Sequence, residues 1–156
     1  ILGSSFNGPG YIVVNGNITI GSTDLNTSTI NGNIFIICSG SITIKENSQI
    51  GTSIDAPVIL YSKGNGNYFN STIYGLVVSK GDNLLLNDTN VNGAILNYSA
   101  SFLLTGDTDV IGSVVSYYSV DIQGNDASIE KGNIPEFSGL VIGLDPFVVP
   151  GSYLEY

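Results

Sequence analysis

The chain has 156 residues, a formal net charge of -9 and four basic side chains, all of them lysine. Nucleic-acid binding draws most of its affinity from phosphate neutralisation, so this composition excludes DNA and RNA as expected partners. Histidine is absent, which excludes Ser/His and Cys/His catalytic sets and histidine-bearing metal sites.

A short motif, Ser/Thr-x-Ile/Val-x-Gly, recurs along the chain and predicts a repeat of roughly 20 residues. The copies are Ser28–Gly32, Ser71–Gly75, Thr89–Gly93 and Thr108–Gly112, with looser ones at Ser48–Gly51 and Ser128–Gly132. A unit of this length cannot bury its own apolar face and must stack on neighbours. The motif therefore predicts an all-β, single-stranded parallel β-helix of about six rungs with three strands each, right-handed by the general crossover preference.

In chain order, residues 1–9 are expected to cap the N-terminal end, and the first rung to begin at Gly10. The first strands of the rungs begin at Tyr11, Asn33, Pro57, Leu76, Ala94 and Ser113. The second strands include Ile18–Ile20, Ile42–Ile44, Leu84–Leu86, Phe102–Leu104 and Val120–Ile122. The third strands point Ile30, Ile50, Ile73, Val91, Val110 and Ile129 inward. Residues 1–132 then form the solenoid with its cap, and residues 133–156 a tail that covers one face or end of the same domain.

Two adjacent columns of the first strands are apolar throughout. They are Ile12, Ile34, Val58, Val77, Ile95 and Val114, and beside them Val13, Phe35, Ile59, Val78, Leu96 and Val115. Since neighbouring strand residues face opposite sides, one column must point away from the core. Large bare apolar patches are uncommon, so a cover is expected. It is either the tail, through Leu140–Leu144 and Phe147–Val149, or another subunit or an N-terminal helix.

Cys38 is the single cysteine and follows two isoleucines, which favours a buried small hydrophobe over a reactive thiol. No apolar run is long enough to span a bilayer, so direct membrane insertion of this chain is not expected.

The predicted register aligns acidic and amide residues at the corner before the third strand. They are Asn70, Asp88, Asp107 and Asp126. Such residues prefer solvated turns, and that interpretation needs no ligand. The alternative is a weak Ca²⁺ site at Asp88, Asp107 and Asp109, because carboxylate oxygens are the ligands that Ca²⁺ prefers. No other cofactor is predicted.

A second ladder, at the end of the first strand, is aromatic. It contains Tyr61, Lys80, Tyr98 and Tyr117, with Tyr118 beside the last. Rigid tyrosines on a regular lattice can stack on sugar rings, which makes this strip the candidate carbohydrate-binding surface. The alternative is that the tyrosines stack on one another and stiffen the corner.

Five Asn-x-Ser/Thr sequons are candidate glycosylation sites. They begin at Asn17, Asn26, Asn70, Asn87 and Asn97. Because Asn, Ser and Thr are abundant in this chain, the sequons are weak evidence for glycosylation.

Segments near both ends of the sequence resemble a known group of proteins. Tyr11–Ile20, followed by Ile30–Ile34 and Ser39–Ile44, resembles the C-terminal β-solenoid of minor-pilin-like surface proteins associated with type IV pili. The ending Pro150–Tyr156 is similar to the terminal Pro-Gly-Ser-aromatic-x-Glu of that group, with Tyr153 where tryptophan is more usual. The resemblance implies an extracellular location on the cell surface or pilus and partners among pilus or cell-surface subunits.

The expected function is therefore a non-enzymatic adhesion or display module, with insoluble polysaccharide as a further partner. Tapirin-type cellulose-binding surface proteins also pair a β-helix with a pilus locus, which favours the tyrosine strip. One alternative is a self-assembling filament subunit, because bactofilins have similar rungs and polymerise end to end. The other is a polysaccharide-processing β-helix enzyme, although such enzymes usually need several carboxylates with Arg, Lys or His in one groove.

Overall fold

The computed structural model describes residues 5–21 and 27–134, and within these ranges the chain is all β. The strands are β1 Ser5–Asn7, β2 Gly10–Val14, β3 Ile18–Ile20, β4 Thr29–Asn31, β5 Ile34–Cys38, β6 Ile42–Ile44, β7 Ser48–Ile50, β8 Val58–Ser62, β9 Gly66–Phe69, β10 Ser71–Ser79, β11 Asn83–Asn87, β12 Asn90–Asn97, β13 Ser101–Thr105, β14 Asp109–Ser116, β15 Val120–Ile122 and β16 Ser128–Lys131. No helix of the described ranges has the length and apolarity needed to cross a membrane.

The strands form two sheets in which every pairing is parallel, so the predicted parallel β-helix is confirmed. One sheet has the order β15-β13-β11-β9-β6-β3 and contains the second strand of each rung. The other contains the path β1-β4-β7-β10-β12-β14-β16, with β2, β5 and β8 joined to it at β10. Following the chain from β2 to β16 gives six successive rungs.

The first and third strands of the rungs lie in one sheet, and from β10 onward they are continuous. We call its two halves the first-strand panel and the third-strand panel. The first-strand panel comprises β2, β5, β8 and residues 76–79, 94–97 and 113–116. The third-strand panel comprises β1, β4, β7, β16 and residues 71–74, 90–92 and 109–111.

The boundary between the panels is a stack of glycines, Gly75, Gly93 and Gly112, with φ of 152°, 145° and 150°. A Cβ on Gly93 would lie 2.0 Å from the carbonyl oxygen of Gly75. Backbone therefore fills the space that a side chain would need, and this explains the glycine of the repeated motif. The first residue of the motif points its hydroxyl inward, as buried Thr89 and Thr108 show.

The predicted register is confirmed for two of the three strands in each rung. Ile30, Ile50, Ile73, Val91, Val110 and Ile129 form one paired column. The second-strand segments also pair as predicted, with the unpredicted β9 completing that sheet.

The first-strand register was wrong by two residues in the second and third rungs. Ile12 pairs with Ile36, whereas Ile34 pairs with Gly10. Val58 in turn pairs with Gly75. Ile34 and Gly75 occupy the same ladder position, but Ile34 lies four residues after Ile30 and Gly75 only two residues after Ile73. The additional residues at the corner caused the error. A shift of two preserves the side of the sheet that every side chain faces, so the members of each predicted column still face one side.

The interior is a single apolar core filled mainly by isoleucine, leucine and valine from all three strands. Cys38 is fully buried, as predicted, and its Sγ lies 2.8 Å from the carbonyl oxygen of Gly16. Tyr68 is also fully buried, and its hydroxyl has no hydrogen-bond partner among the described residues. Burial raises the pKa of the Tyr68 hydroxyl well above its usual range, with a smaller contribution from Cys38.

The outward side of the first-strand panel carries a second apolar cluster, as the sequence predicted. Its buried members are Ile59, Tyr61, Leu76, Val78 and Ala94. At the two ends of the panel the outward residues are open, since Val13 is 72% and Val115 47% exposed. The segments expected to cover this face, Leu140–Leu144 and Phe147–Val149, lie outside the described residues.

Candidate functional site

A cavity of about 500 Å³ opens on the outer surface of the third-strand panel. We call it the amide groove, because four of its ten described lining residues are asparagine or glutamine. It is lined by Thr27, Asn47, Ser48, Gln49, Asn70, Ser71, Thr72, Tyr74, Asp88 and Asn90. These residues come from four successive rungs, so the groove runs along the axis of the column.

One wall of the amide groove is formed by the corner residues Asn47, Asn70 and Asp88. Their φ angles are 57°, 40° and 48°, a left-handed conformation that Asn and Asp tolerate better than other non-glycine residues. The corners stack through backbone hydrogen bonds. The amide of Asn47 donates to the carbonyl of Asn70 at 2.8 Å, and the amide of Asn70 to that of Asn87 at 2.9 Å. The three polar side chains therefore project side by side at the rung spacing.

The floor of the groove is formed by Gln49, Thr72 and Asn90, which occupy the same register position in three neighbouring strands. They follow the inward serine or threonine of the motif and so point outward. Tyr74 contributes the aromatic ring and is half-buried. A Cβ at Gly51 would lie 2.9 Å from the Cβ of Tyr74, so the glycine leaves the space that Tyr74 occupies.

Five polar side chains of the groove have no hydrogen-bond partner within the described part of the chain. They are the side chains of Asn47, Gln49, Asn70, Thr72 and Asn90. Asp88 and Ser71 differ from these residues, because Asp88 Oδ1 accepts the amide N–H of Asp107 at 2.9 Å and the Ser71 hydroxyl lies 3.4 Å from that of Thr89. Among the described lining residues there is no basic side chain, and Asp88 is the one carboxylate. The site is therefore polar, mildly negative and rich in groups that both donate and accept hydrogen bonds.

The predicted tyrosine strip is assembled in part. The Nζ of Lys80 lies 5.7 Å from the ring centroids of both Tyr61 and Tyr98. Tyr61 pairs with Val78, two positions before Lys80 in the ladder, so its predicted alignment shares the register error described above. It is also buried, with 9% exposure.

The open end of the strip is formed by Tyr117 and Tyr118, which are 70% and 50% exposed. Their ring centroids are 5.0 Å apart at an interplanar angle of 73°, an edge-to-face arrangement. We call Tyr61, Lys80, Tyr98, Tyr117 and Tyr118 together the tyrosine corner. Its accessible aromatic surface lies at the C-terminal end of the first-strand panel.

The residues predicted for Ca²⁺ are not gathered into one cluster. The backbone amide of Asp88 donates to the carbonyl of Thr105, so Asp88 stacks beside Gly106 of the next rung. Asp109 accepts a hydrogen bond from the hydroxyl of Ser128. Within residues 5–21 and 27–134, no three Asp, Glu or Cys side chains are grouped to hold a metal ion.

The predicted glycosylation sites differ in accessibility. Asn17 and Asn70 are exposed, whereas Asn87 is half-buried and donates to the Thr105 hydroxyl at 2.8 Å. Asn97 is 1% exposed, and its Nδ2 donates to Ser99 and Ser116. That packing leaves no space for an oligosaccharide on Asn97. Asn26 lies outside the described residues.

Sequence reasoning missed the amide groove. The available signal was the second position of the repeated motif, which is Gln49, Thr72 and Asn90 in successive copies. Their alignment follows from the motif alone, but the left-handed corners beside them do not. No protein-family model matches the chain, and neither a curated protein nor a solved structure is similar to it.

Proposed function

We propose that this chain is a non-enzymatic extracellular β-solenoid that acts as a pilus-associated or cell-surface adhesion and display module. The observation that carries the proposal is an array of uncharged polar side chains on the third-strand panel, held at one register position by parallel strands of the first four rungs: Thr29, Gln49, Thr72 and Asn90. Such an array contacts a repeating polymer at several points without rearrangement, because the backbone ladder fixes the spacing.

The tyrosine corner supports polysaccharide as a ligand of this module. Tyr117 is 70% exposed and Tyr118 50%, and each ring offers an apolar face with a polar hydroxyl at its tip. Lys80 lies close to Tyr98, so a cationic group and aromatic rings occur at one edge. The resemblance to minor-pilin-like proteins supports the pilus or cell-surface location and partners among their subunits.

Binding to insoluble polysaccharides tests this function. We expect the protein to be pulled down by at least one of cellulose, chitin and xylan, and Tyr98→Ala and Tyr117→Ala to weaken that binding roughly tenfold. Tyr11→Ala is the matched control, because Tyr11 is also 70% exposed but lies at the opposite end of the panel. Failure to bind any polysaccharide would contradict the polysaccharide role, and unchanged binding of Tyr117→Ala would remove the tyrosine corner.

A filament subunit is the second candidate, and the C-terminal end of the solenoid favours it. Ile122 and Ile129 belong to inward columns, yet they are 47% and 41% exposed in the last rung. Phe6 at the other end is 47% exposed in the same inward column as Ile30. Stacking end to end would bury these side chains. Sedimentation over a wide concentration range decides the matter, since a monomer at every concentration contradicts assembly.

A further inference from the structure

We infer that the amide groove binds a neutral oligosaccharide along the axis of the column. The inference deepens the proposed adhesion function by assigning a second site and its ligand class. The groove draws its lining from four successive rungs, from Thr27 to Asn90. Three intervals of about 4.8 Å give a length of roughly 14 Å, which suits a short run of sugar units better than a single sugar.

The hydrogen-bonding groups of the groove match sugar hydroxyls. A hydroxyl donates one hydrogen bond and accepts others, and the amides of Asn47, Gln49 and Asn70 likewise offer both donors and acceptors. These side chains have no partner among the described residues, so no described residue competes with a ligand for them. Tyr74 adds an aromatic surface for the apolar face of a pyranose ring.

Charge selects against anionic ligands. Asp88 lies in the groove, none of the lining residues that the structure describes is basic, and the chain carries a net charge of -9. A uronate, a sulfated glycan or a phosphate would therefore enter against repulsion, and the described lining supplies no cation to offset it. The groove is also poor in apolar lining, which disfavours an apolar peptide. Among glycans, these features favour neutral sugars over uronates and sulfated sugars.

The amide groove and the tyrosine corner are separate surfaces. The groove lies on the third-strand panel and is lined by residues of the first four rungs, up to Asn90. The exposed part of the tyrosine corner lies beyond Ser116 at the opposite panel edge. Substitutions in one site therefore leave the other intact, and the two sites can be tested independently.

Titration calorimetry with cellotetraose, chitotetraose and xylotetraose tests the inference, with tetragalacturonate as the anionic counterpart. We expect at least one neutral tetrasaccharide to bind, and Asn70→Gly and Tyr74→Leu each to weaken it roughly tenfold. Glycine is chosen at position 70 because it tolerates the φ of 40°. Tetragalacturonate should bind far more weakly.

A matched pair of threonines provides the control. Thr72 lies in the groove, and Thr43 is a half-buried threonine on the other sheet. We expect Thr72→Val to weaken binding several-fold and Thr43→Val to leave it unchanged. Circular dichroism confirms that each variant is folded. Absence of binding by any neutral tetrasaccharide, equal binding of tetragalacturonate, or equal effects of the two threonine changes would overturn the inference.

The outcomes separate this inference from the proposed function. Pull-down that is lost in Tyr117→Ala, together with tetrasaccharide binding that is insensitive to Asn70→Gly, overturns the groove and leaves the adhesion proposal standing. Tetrasaccharide binding that Asn70→Gly weakens, in a protein that no insoluble polysaccharide retains, supports the groove and contradicts adhesion to such surfaces.

Discussion

The two panels belong to one sheet and enclose one core, yet their outer faces differ in the middle rungs. The first-strand panel points Ile59, Leu76 and Val78 outward, and these are at most 8% exposed. The third-strand panel points Gln49, Thr72 and Asn90 outward, and no other described side chain bonds to them. Because the inward columns fix the fold, the outward columns are free to diverge. One panel has become a packing surface and the other a candidate binding surface.

The largest expected effect concerns the glycine stack at the boundary between the panels. Gly93→Ala places a Cβ about 2 Å from the Gly75 carbonyl oxygen at a φ of 145°. We expect a loss of about 3 kcal/mol or more in unfolding free energy, or failure to fold. Urea unfolding measures it.

Gly10→Ala is the control for the glycine stack. Gly10 occupies the same ladder position in the first rung, but its Cβ would meet no atom within 4 Å. We expect a change within about 0.5 kcal/mol. Similar losses for Gly10→Ala and Gly93→Ala would contradict the close backbone approach at the glycine stack.

A reciprocal exchange tests the two outer faces directly. Val78→Thr places a hydroxyl in a site that is 1% exposed, and we expect a cost of about 1 to 3 kcal/mol. Thr72→Val removes a hydroxyl without a described partner, and we expect a change within about 0.5 kcal/mol. Unfolding in urea compares both with the parent chain. Equal effects would show that the two outer faces are not differently buried in solution.

The shared interior should tolerate apolar groups better than polar ones. Tyr68→Phe removes a buried hydroxyl without a described partner, and we expect a gain of about 1 kcal/mol at neutral pH. The pKa of Tyr68 in the folded state lies above the unfolded value near 10. Above pH 10 the unfolded state loses this proton while the folded state keeps it, so the free energy of unfolding falls as pH rises. Stability should fall less steeply above pH 10 in Tyr68→Phe. Parallel pH profiles for the two proteins would contradict the raised pKa.

The smallest effect is expected at the edge of the first-strand panel. Lys80→Met removes the ammonium near Tyr61 and Tyr98, and we expect a loss of about 0.5 to 1 kcal/mol. Lys63→Met is the control, because Lys63 precedes Lys80 in the same ladder and is exposed. A loss no larger than that of Lys63→Met would remove the stabilising role of Lys80.

Much of the fold could be predicted from the sequence because the inward columns repeat. Ile30, Ile50 and Ile73 recur at a fixed place in the motif, and this gave the third-strand register correctly. The first-strand register failed at Ile34 and Val58, because extra corner residues leave no mark on the inward pattern.

The candidate site was harder to predict. The groove depends on left-handed corners at Asn47, Asn70 and Asp88, and asparagine is common at solvated corners of every kind. The burial of Tyr61 depends on what packs outside its panel, which its own strand does not encode. The surroundings of an outward side chain therefore have to be known before its chemistry can be interpreted.

Thiol labelling tests the central contrast between the panels most directly. The single native thiol, Cys38, is fully buried, so engineered cysteines report their own accessibility. We expect Thr72→Cys and Val13→Cys to react rapidly with a maleimide in the folded protein, and Val78→Cys to be protected until unfolding. Equally rapid labelling of Val78→Cys and Thr72→Cys would contradict the assignment of one panel to packing and the other to binding.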